Sequence, residues 1–346
     1  MARTGAAPDR GRLRAAWTLA LLVTLCAELT FTAVAVPEAW LLLPLLLVMY
    51  GAGVLVVREA VVRSGAGWPG LVLLGLAYQL AEDGIGLQAL TSPRIYGAAD
   101  WGWRALGANW TYWESQIGVH VVFSVLVPVM LADLLFPDHR DRPYLRTGGL
   151  VGVGALAVVG VLGLRVLISG TEDPGYLAPW GWTAGFLAAI AVLAVLALRV
   201  APRLTPPAPA PPGSAPAPPA VGLAAGAATA LFLVLLLPLG LGPVTVFGGV
   251  LPPPVPPALA AAVALASGLA VLRWRGAPDW GDRHRIWLAG GILVGHTAFM
   301  MPGSAVTAAL GAVTIVAEVV LLALLARHVA RRGSAGTVSG ADPYRR

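Results

Sequence analysis

Cysteine and charged residues are scarce in this chain, and lysine is absent. The single cysteine, Cys26, lies inside an apolar run, so an intramolecular disulfide and a thiolate metal cluster are both excluded. Only 12% of the 346 residues are charged, whereas 58% are hydrophobic, which is more apolar surface than a soluble fold of this length encloses. All 23 basic residues are arginines, a composition that is typical of a GC-rich bacterial genome.

Nucleotide-binding motifs are missing as well. The sequence holds no glycine-rich phosphate loop and no charged soluble domain, which argues against an ATPase domain within the chain. Its pI near 10.1 does not indicate a nucleic-acid partner, because the arginines are spread over short loops between apolar runs. The composition predicts the lipid bilayer as partner, and it leaves open whether the other partner is a small solute or a membrane-embedded peptide.

Apolar runs recur along nearly the whole chain at a length that suits transmembrane helices. A helix needs about 20 apolar residues to cross the hydrocarbon core. The pattern predicts an all-α, polytopic transmembrane bundle of about ten spans. The spans cover residues 15–36, 39–57, 69–91, 115–135, 148–169, 181–200, 220–240, 256–273, 286–302 and 305–326.

The first run has a signal peptide as its alternative interpretation, because Ala33-Val34-Ala35 resembles a cleavage site. A retained helix is favoured, since the run is longer than a usual signal core and contains Glu28. With the N-terminus inside, nearly all arginines face the cytoplasm and only Arg94 and Arg104 fall clearly outside. Both termini are therefore expected in the cytoplasm, in a multi-pass protein of the bacterial plasma membrane.

The spans and their connections divide the chain into five predicted segments. The segment rich in proline reads TPPAPAPPGSAPAPP, and its prolines remove amide donors and fix φ, which predicts an extended spacer. In chain order the segments are a cytoplasmic tail (1–14), a six-helix membrane region with an acidic pair (15–200), the Pro-rich cytoplasmic linker (201–219), a four-helix membrane region (220–326) and an Arg-rich cytoplasmic tail (327–346).

Two adjacent acids, Glu82 and Asp83, interrupt the third apolar run. An ionisable residue at the centre of a bilayer costs roughly 2.5–3.5 kcal/mol, so it usually faces a polar cavity and has a partner. On an α-helix, Gly75, Gln79, Glu82, Asp83 and Gly86 share one face, because separations of three, four and seven residues return to nearly the same azimuth. The acidic pair is therefore the first candidate for a functional site.

Three further polar side chains are expected at a similar depth. Glu28 lies between Thr24 and Thr32 in a polar stripe of the first span. His120 lies in the outer part of the fourth span, and His296 lies near the middle of the ninth. We expect four helices to direct these imidazoles and carboxylates into one cavity in the outer half of the membrane.

Three chemistries are open to such a cluster. Glu82, His120 and His296 could hold zinc with an open position and so activate a water molecule, with Glu82, Asp83 and His120 as the catalytic residues. Alternatively, Glu28, Gln79, Glu82 and Asp83 could form a proton or substrate pathway, since two neighbouring acids cannot both ionise cheaply in a low dielectric. A polar network that only joins the helices is the third possibility. Transport is slightly favoured, with a hydrolase and a non-catalytic scaffold as alternatives.

The acidic pair also resembles a motif of known membrane proteases. Glu82-Asp83 is followed by Gly84 and Gly86, and His120 lies in the next predicted helix. Over roughly residues 69–135 the sequence resembles the CAAX-protease and bacteriocin-processing (CPBP) family of intramembrane proteases.

The resemblance implies that Glu82 and Asp83 match the paired glutamates of that family, and that His120 matches its first histidine. It further implies that a glutamate-activated or metal-bound water attacks a peptide bond, and zinc is expected as cofactor only on this hypothesis. The sequence departs from the family pattern at Leu87 in place of an arginine, at Gln116 in place of a phenylalanine, and at His296, which lies far beyond the expected second histidine.

Aromatic residues crowd the predicted outer loop at 91–114. An interfacial belt is the favoured interpretation, because amphipathic rings prefer the headgroup region, and a lid above a cavity is the alternative. The glycine pairs Gly148/Gly152 and Gly291/Gly295 have the spacing of close helix contacts.

Overall fold

The computed structural model describes residues 11–203 and 213–338, with side chains through Arg332. This part of the chain is mostly helical, and we number its ten long helices α1 to α10. α1 (Arg12–Thr24) and α3 (Gly67–Gln79) continue into the π-helical turns Leu25–Leu29 and Leu80–Gly86. The others are α2 (Pro37–Ser64), α4 (Trp110–Leu135), α5 (Thr147–Glu172), α6 (Trp180–Arg203), α7 (Pro218–Leu236), α8 (Val255–Trp274), α9 (Asp282–Gly303) and α10 (Ala305–Arg332).

Eight of these helices are long and apolar enough to cross a membrane within the described residues, and α1 and α3 are the two that are not. Charged side chains explain the difference, since Arg12 and Arg14 lie in α1, Glu28 lies in the turn after it, and the acidic pair lies in the turn after α3. The eight apolar helices also differ in how much of their surface is buried. In their most apolar windows, 72% of α4 is buried but only 11% of α5 and of α8. α4 therefore lies in the interior, and α5 and α8 expose apolar side chains outward. α1 and α3 each bury one face and expose the other, which carries Trp17 in α1 and Trp68 in α3.

Three apolar clusters join the helices. The largest joins all six helices from α1 through α6 and includes Leu19, Tyr50 and Phe186. The second joins Phe31 and Val34, which follow α1, and the middle of α4 to α7 and α9. The third joins α4 to α9 and α10 through residues such as Leu131 and Ile286. Since α4 takes part in all three clusters, it connects the first six helices to the last four.

The connection between α3 and α4 departs from an all-helical chain. It contains a two-stranded antiparallel hairpin, β1 (Arg104–Ala105) and β2 (Ala108–Asn109). The Asn109 side chain is buried and donates to the backbone oxygens of Ala89 and Ser92, at 2.8 and 2.7 Å. These hydrogen bonds fix the loop against the end of the bundle.

The predicted segment boundaries shift where the structure describes them. Residues 1–10, 204–212 and 339–346, which belong to the two predicted tails and the linker, lie outside the described residues. Pro218 and Pro219, assigned to the linker, instead begin α7, because proline is tolerated in the first helical turn, where amides have no intrahelical acceptor. Part of the predicted C-terminal tail is helical to Val338, and Arg332 donates to backbone oxygens at the end of α4.

Close backbone packing of α7 against α9 depends on glycine. A Cβ atom at Gly291 would lie 2.0 Å from the backbone oxygen of Gly222, and one at Gly295 would lie 2.6 Å from that of Gly226. The predicted contact of Gly291 and Gly295 is confirmed. The pair Gly148/Gly152 is different, since nothing lies within 4 Å of either position.

We predict that Gly291→Ala destabilises the protein by about 1–3 kcal/mol, because the added methyl group forces α7 and α9 apart. Gly152→Ala is the matched control and is expected to leave stability unchanged or slightly raised, since its methyl group meets no neighbour. Unfolding of the purified variants in detergent measures both effects. Equal stabilities of the two variants would contradict the observed packing.

A buried arginine fastens the loop at 137–146 to α2. Arg58, only 1% exposed, donates to Glu59 and to three backbone oxygens of the loop, at 2.8–3.2 Å. Its guanidinium lies 3.3 Å from the ring centroid of Tyr144, a favourable cation–π arrangement. Glu59 accepts hydrogen bonds from the backbone amides of Tyr144 and Leu145. Burial raises the pKa of Tyr144 to about 12, so this ring stays neutral beside the cation.

Replacing Arg58 with alanine is expected to cost about 3–5 kcal/mol, because three buried carbonyl oxygens lose their donor and Glu59 is left with Arg63, at 3.4 Å, as its cationic neighbour. Arg140→Ala in the same loop removes an exposed pair with Asp141 and should cost no more than about 1 kcal/mol. Unfolding in detergent measures the stability of both variants, and proteolysis at the loop at 137–146 shows whether the loop has detached. A small effect of Arg58→Ala would show that the loop is held by other contacts.

Candidate functional site

The candidate site is built on irregular helical turns. Glu28, Tyr50, Glu82 with Asp83, and His120 each lie in a π-helical segment, at Leu25–Leu29, Leu47–Gly51, Leu80–Gly86 and Gly118–Leu126. Such segments are rare inside α-helices and are frequent at functional sites. Four separate helices therefore depart from α-helical geometry where they meet at this cluster.

His120 lies between the two adjacent acids. Its Nδ1 is 3.4 Å from Oε2 of Glu82, and its Nε2 is 3.2 Å from Oδ2 of Asp83. All three residues are at most 1% exposed. One imidazole thus contacts both carboxylates through opposite ring nitrogens, and we call Glu82, Asp83 and His120 the carboxylate–imidazole cluster.

The two acids differ in how well they are bonded. Asp83 accepts hydrogen bonds from Gln79 Nε2 at 3.0 Å and from the Tyr112 hydroxyl at 3.3 Å. Oε2 of Glu82 is buried and has no hydrogen-bond partner among the described residues. Asp83 is therefore held as an acceptor by its neighbours, whereas Glu82 keeps an oxygen that can take up a proton.

Glu28 lies beside the cluster and reaches it through an aromatic ring. The Tyr50 hydroxyl donates to Glu28 Oε1 at 2.7 Å, and the Tyr50 ring stacks on His120 with centroids 5.9 Å apart. Tyr78 approaches the same imidazole edge-on at 5.8 Å. The structure thus brings together Glu28, Gln79 and the cluster, all of which the sequence indicated.

Glycines close the cluster from the side of α5 and α6. A Cβ atom at Gly84 would lie 2.9 Å from the Phe186 ring, and one at Gly86 would lie 2.8 Å from the Val161 backbone oxygen. The glycines that follow the acidic pair therefore let the two outer helices approach closely. Their approach keeps lipid away from Glu82 and Asp83.

His296 belongs to a separate polar network. Its Nε2 lies 3.0 Å from the Cys26 backbone oxygen, and its ring stacks on Phe31 at 5.2 Å. The neighbouring Thr297 donates to Glu318 at 2.9 Å. The structure does not bring His296 to Glu82 and His120, because its azimuth on α9 directs it towards the backbone of the π-helical turn after α1.

The geometry does not fit the expected zinc site. Among the described residues no group of three or more His, Cys, Asp and Glu side chains is arranged to hold a metal ion. Glu82 and Asp83 face opposite nitrogens of His120, so the three do not direct their ligand atoms at one point.

Tyr50, Tyr78, Tyr112 and Glu318 are polar contacts that the sequence analysis did not single out. Each tyrosine lies inside or beside an apolar run, where a hydroxyl group needs a hydrogen-bond partner. The sequence therefore indicated that each tyrosine hydroxyl needs a partner, but it did not indicate which residue that partner is. Glu318 lies in the strongly apolar α10, and its contact with Thr297 is set by the packing of α9 on α10.

The site residues fall within a region that matches a known family. The model of an uncharacterized membrane protein family matches residues 18–339, which is nearly the whole chain. The chain belongs to this family. It is therefore a polytopic integral membrane protein, as the eight apolar helices of the described residues also indicate. No curated protein and no solved structure matches it.

In this membrane protein we expect His120 to be energetically coupled to Glu82 but not to His296. A double-mutant cycle of His120→Ala with Glu82→Gln should give a coupling of about 0.5–3 kcal/mol, because the two side chains are in contact. His120→Ala and His296→Ala should be additive, since the two imidazoles share no contact partner in the described part of the chain. The measurement is the stability in detergent of the wild type, the three single variants and the two double variants, and coupled histidines would contradict the separation of the two networks.

Proposed function

We propose that this protein is a proton-coupled transporter of a small solute, and that Glu82 carries the coupled proton. The observation that supports the proposal is the position of His120 between two buried carboxylates, one at each ring nitrogen. Glu28 adds a third carboxyl group to the same region. Three acids and one imidazole cannot all be ionised together in a low dielectric, so the cluster has to bind protons.

A path for protons accompanies this cluster. Tyr112 contacts Asp83 on one side and packs against Tyr96 of the outer loop, with ring centroids 6.0 Å apart. On the other side, Tyr50 joins Glu28 to the face of His120. A proton that enters near the loop would pass from Asp83 through the imidazole to Glu82, because His120 can hold a proton on either nitrogen.

The proposal includes the topology that places the cluster within the membrane. Ten crossings, with α1 and α3 among them, put both termini in the cytoplasm of a bacterial plasma membrane. The arginine distribution supports this orientation. Arg94 and Arg104 lie in the loop between α3 and α4, whereas Arg58 and the loop at 137–146 that it binds lie at the opposite end of the helices.

An intramembrane hydrolase is the second candidate. Oε2 of Glu82 favours it, since this oxygen accepts no hydrogen bond among the described residues and lies 3.4 Å from His120 Nδ1. On that proposal Glu82 is the general base, as the CPBP resemblance implies. It requires a water molecule and a peptide bond to reach an acid that is 1% exposed. A scaffold function would leave both acids with a purely structural role.

We predict that Glu82→Gln abolishes proton movement coupled to solute transport. Proteoliposomes with an entrapped pH-sensitive dye are exposed to pools of amino acids, sugars and small organic ions. The wild type should show solute-evoked proton movement that responds to an imposed pH gradient, and the glutamine, which cannot titrate, should remove it.

Glu38→Gln is the matched control, because it makes the same change at an exposed acid at the start of α2. It should behave as the wild type. Proton movement that survives Glu82→Gln, or solute uptake indifferent to the pH gradient, would rule out Glu82 as the proton carrier. Peptide cleavage that is lost in Glu82→Gln would support the hydrolase instead.

A further inference from the structure

A groove lined by tryptophans lies next to the carboxylate–imidazole cluster. Its volume is about 450 Å³, and residues of α3, α4, α6, α8 and the hairpin loop line it. Trp103, Trp110 and Trp113 form an aromatic wall, and Leu76 and Leu193 add apolar side chains. This volume lies within the usual range for sites that bind small organic molecules, about 300–1,000 Å³. We call this cavity the tryptophan groove.

The rings of the groove hold one another in fixed orientations. Trp110 and Trp113 are stacked, with centroids 5.2 Å apart and planes inclined by 10°. Trp182 of α6 meets both rings edge-on at 6.1 Å. The indole of Trp110 also donates to the backbone oxygen of Ala105 in β1. The wall is therefore assembled in advance, and the faces of tryptophan rings attract cations more strongly than those of other aromatic residues.

The polar atoms of the groove have the character of hydrogen-bond acceptors. Glu114 is the one ionisable side chain in the lining, and its Oε1 is buried without a hydrogen-bond partner in the described residues. Gln79, which is fully buried, likewise presents an unpartnered Oε1. Among the residues that the structure describes, no arginine or histidine lines the groove to neutralise Glu114. A carboxylate, an amide oxygen and aromatic faces together suit a positively charged organic molecule.

We propose that the tryptophan groove binds an amphipathic organic monocation, with Glu114 as its counter-charge and the indole rings around its apolar body. A zwitterionic lipid headgroup offers a similar ammonium group, but its phosphate would find no cationic side chain in the lining. A free monocation is therefore the occupant that the groove fits.

Gln79 connects this groove to the carboxylate–imidazole cluster. Its Nε2 donates to Asp83 at 3.0 Å, while its side chain lines the groove. A cation in the groove and a proton in the cluster therefore share one amide as neighbour. The role of the monocation as the transported solute rests on the proposed function, whereas its binding is measured independently of transport.

Tetraphenylphosphonium is the probe for this site, because its charge is permanent and its body is apolar. Equilibrium dialysis against the full chain in lipid nanodiscs should show saturable binding. Glu114→Gln should weaken binding at least tenfold, Trp113→Leu should weaken it several-fold, and Glu114→Asp, which keeps the charge, should retain most of it. Tetraphenylborate, with nearly the same shape and the opposite charge, should not bind saturably.

The controls make the same chemical changes outside the groove. Glu38→Gln removes an exposed carboxylate, and Trp17→Leu removes an indole that is 73% exposed. Both variants should bind the probe within twofold of the wild type. Equal binding of tetraphenylborate, unchanged affinity in Glu114→Gln, or displacement by a soluble short-chain phosphatidylcholine but not by a second lipophilic cation would overturn the proposal.

Binding and transport can fail separately. Saturable, Glu114-dependent binding without any cation-evoked proton movement in proteoliposomes would support the groove and overturn the proposed transport function. Proton movement evoked by other solutes, with no saturable binding of the probe, would support proton coupling and overturn the monocation as its substrate.

Discussion

Carboxyl groups inside a bilayer depend on partners supplied by the protein, because hydrocarbon offers neither water nor counter-ions. That constraint accounts for the arrangement of the helices. Glu28 and the acidic pair lie in the turns that follow α1 and α3, and both acids of the pair are buried. α5 and α8 are apolar on nearly all sides and face outward. The position of each helix thus follows from what its side chains require, more than from its place in the chain.

The same constraint explains why the helices lose regularity at the cluster. An α-helix places its side chains at fixed azimuths, and the segments that carry Glu28, Tyr50, His120 and the acidic pair are π-helical instead. A π-helical turn changes the azimuth locally, at the cost of weaker backbone hydrogen bonding. Gly84 and Gly86 add the room that lets α5 and α6 cover the acids. The sequence Glu-Asp-Gly-Ile-Gly combines the polar groups with the close packing that isolates them.

Hydropathy predicted the positions of the helices well, since the structure has a helix within each of the ten predicted spans. A run of apolar residues indicates directly how long a helix is and how deeply it lies. The proximity of His120 to the acidic pair was also predictable from depth and chain order. His296 shows the limit of that argument: depth does not give azimuth, and its ring turns towards Cys26 and Phe31. The π-helical turns and the tyrosine partners could not be predicted from periodicity, since both arise only when the helices pack together.

The burial of Glu82 bears on which chemistry this arrangement can perform. A hydrolase has to bring a water molecule and a substrate bond to its general base, and the space beside Glu82 is filled by His120 and closed by α5 and α6. A proton carrier needs no such space, because a proton moves between groups already in contact. It needs instead a second conformation that opens the cluster to the opposite side. Gln79 contacts Asp83 and also lines the tryptophan groove. A solute bound in the groove can therefore act on the cluster through this side chain and favour one conformation over the other.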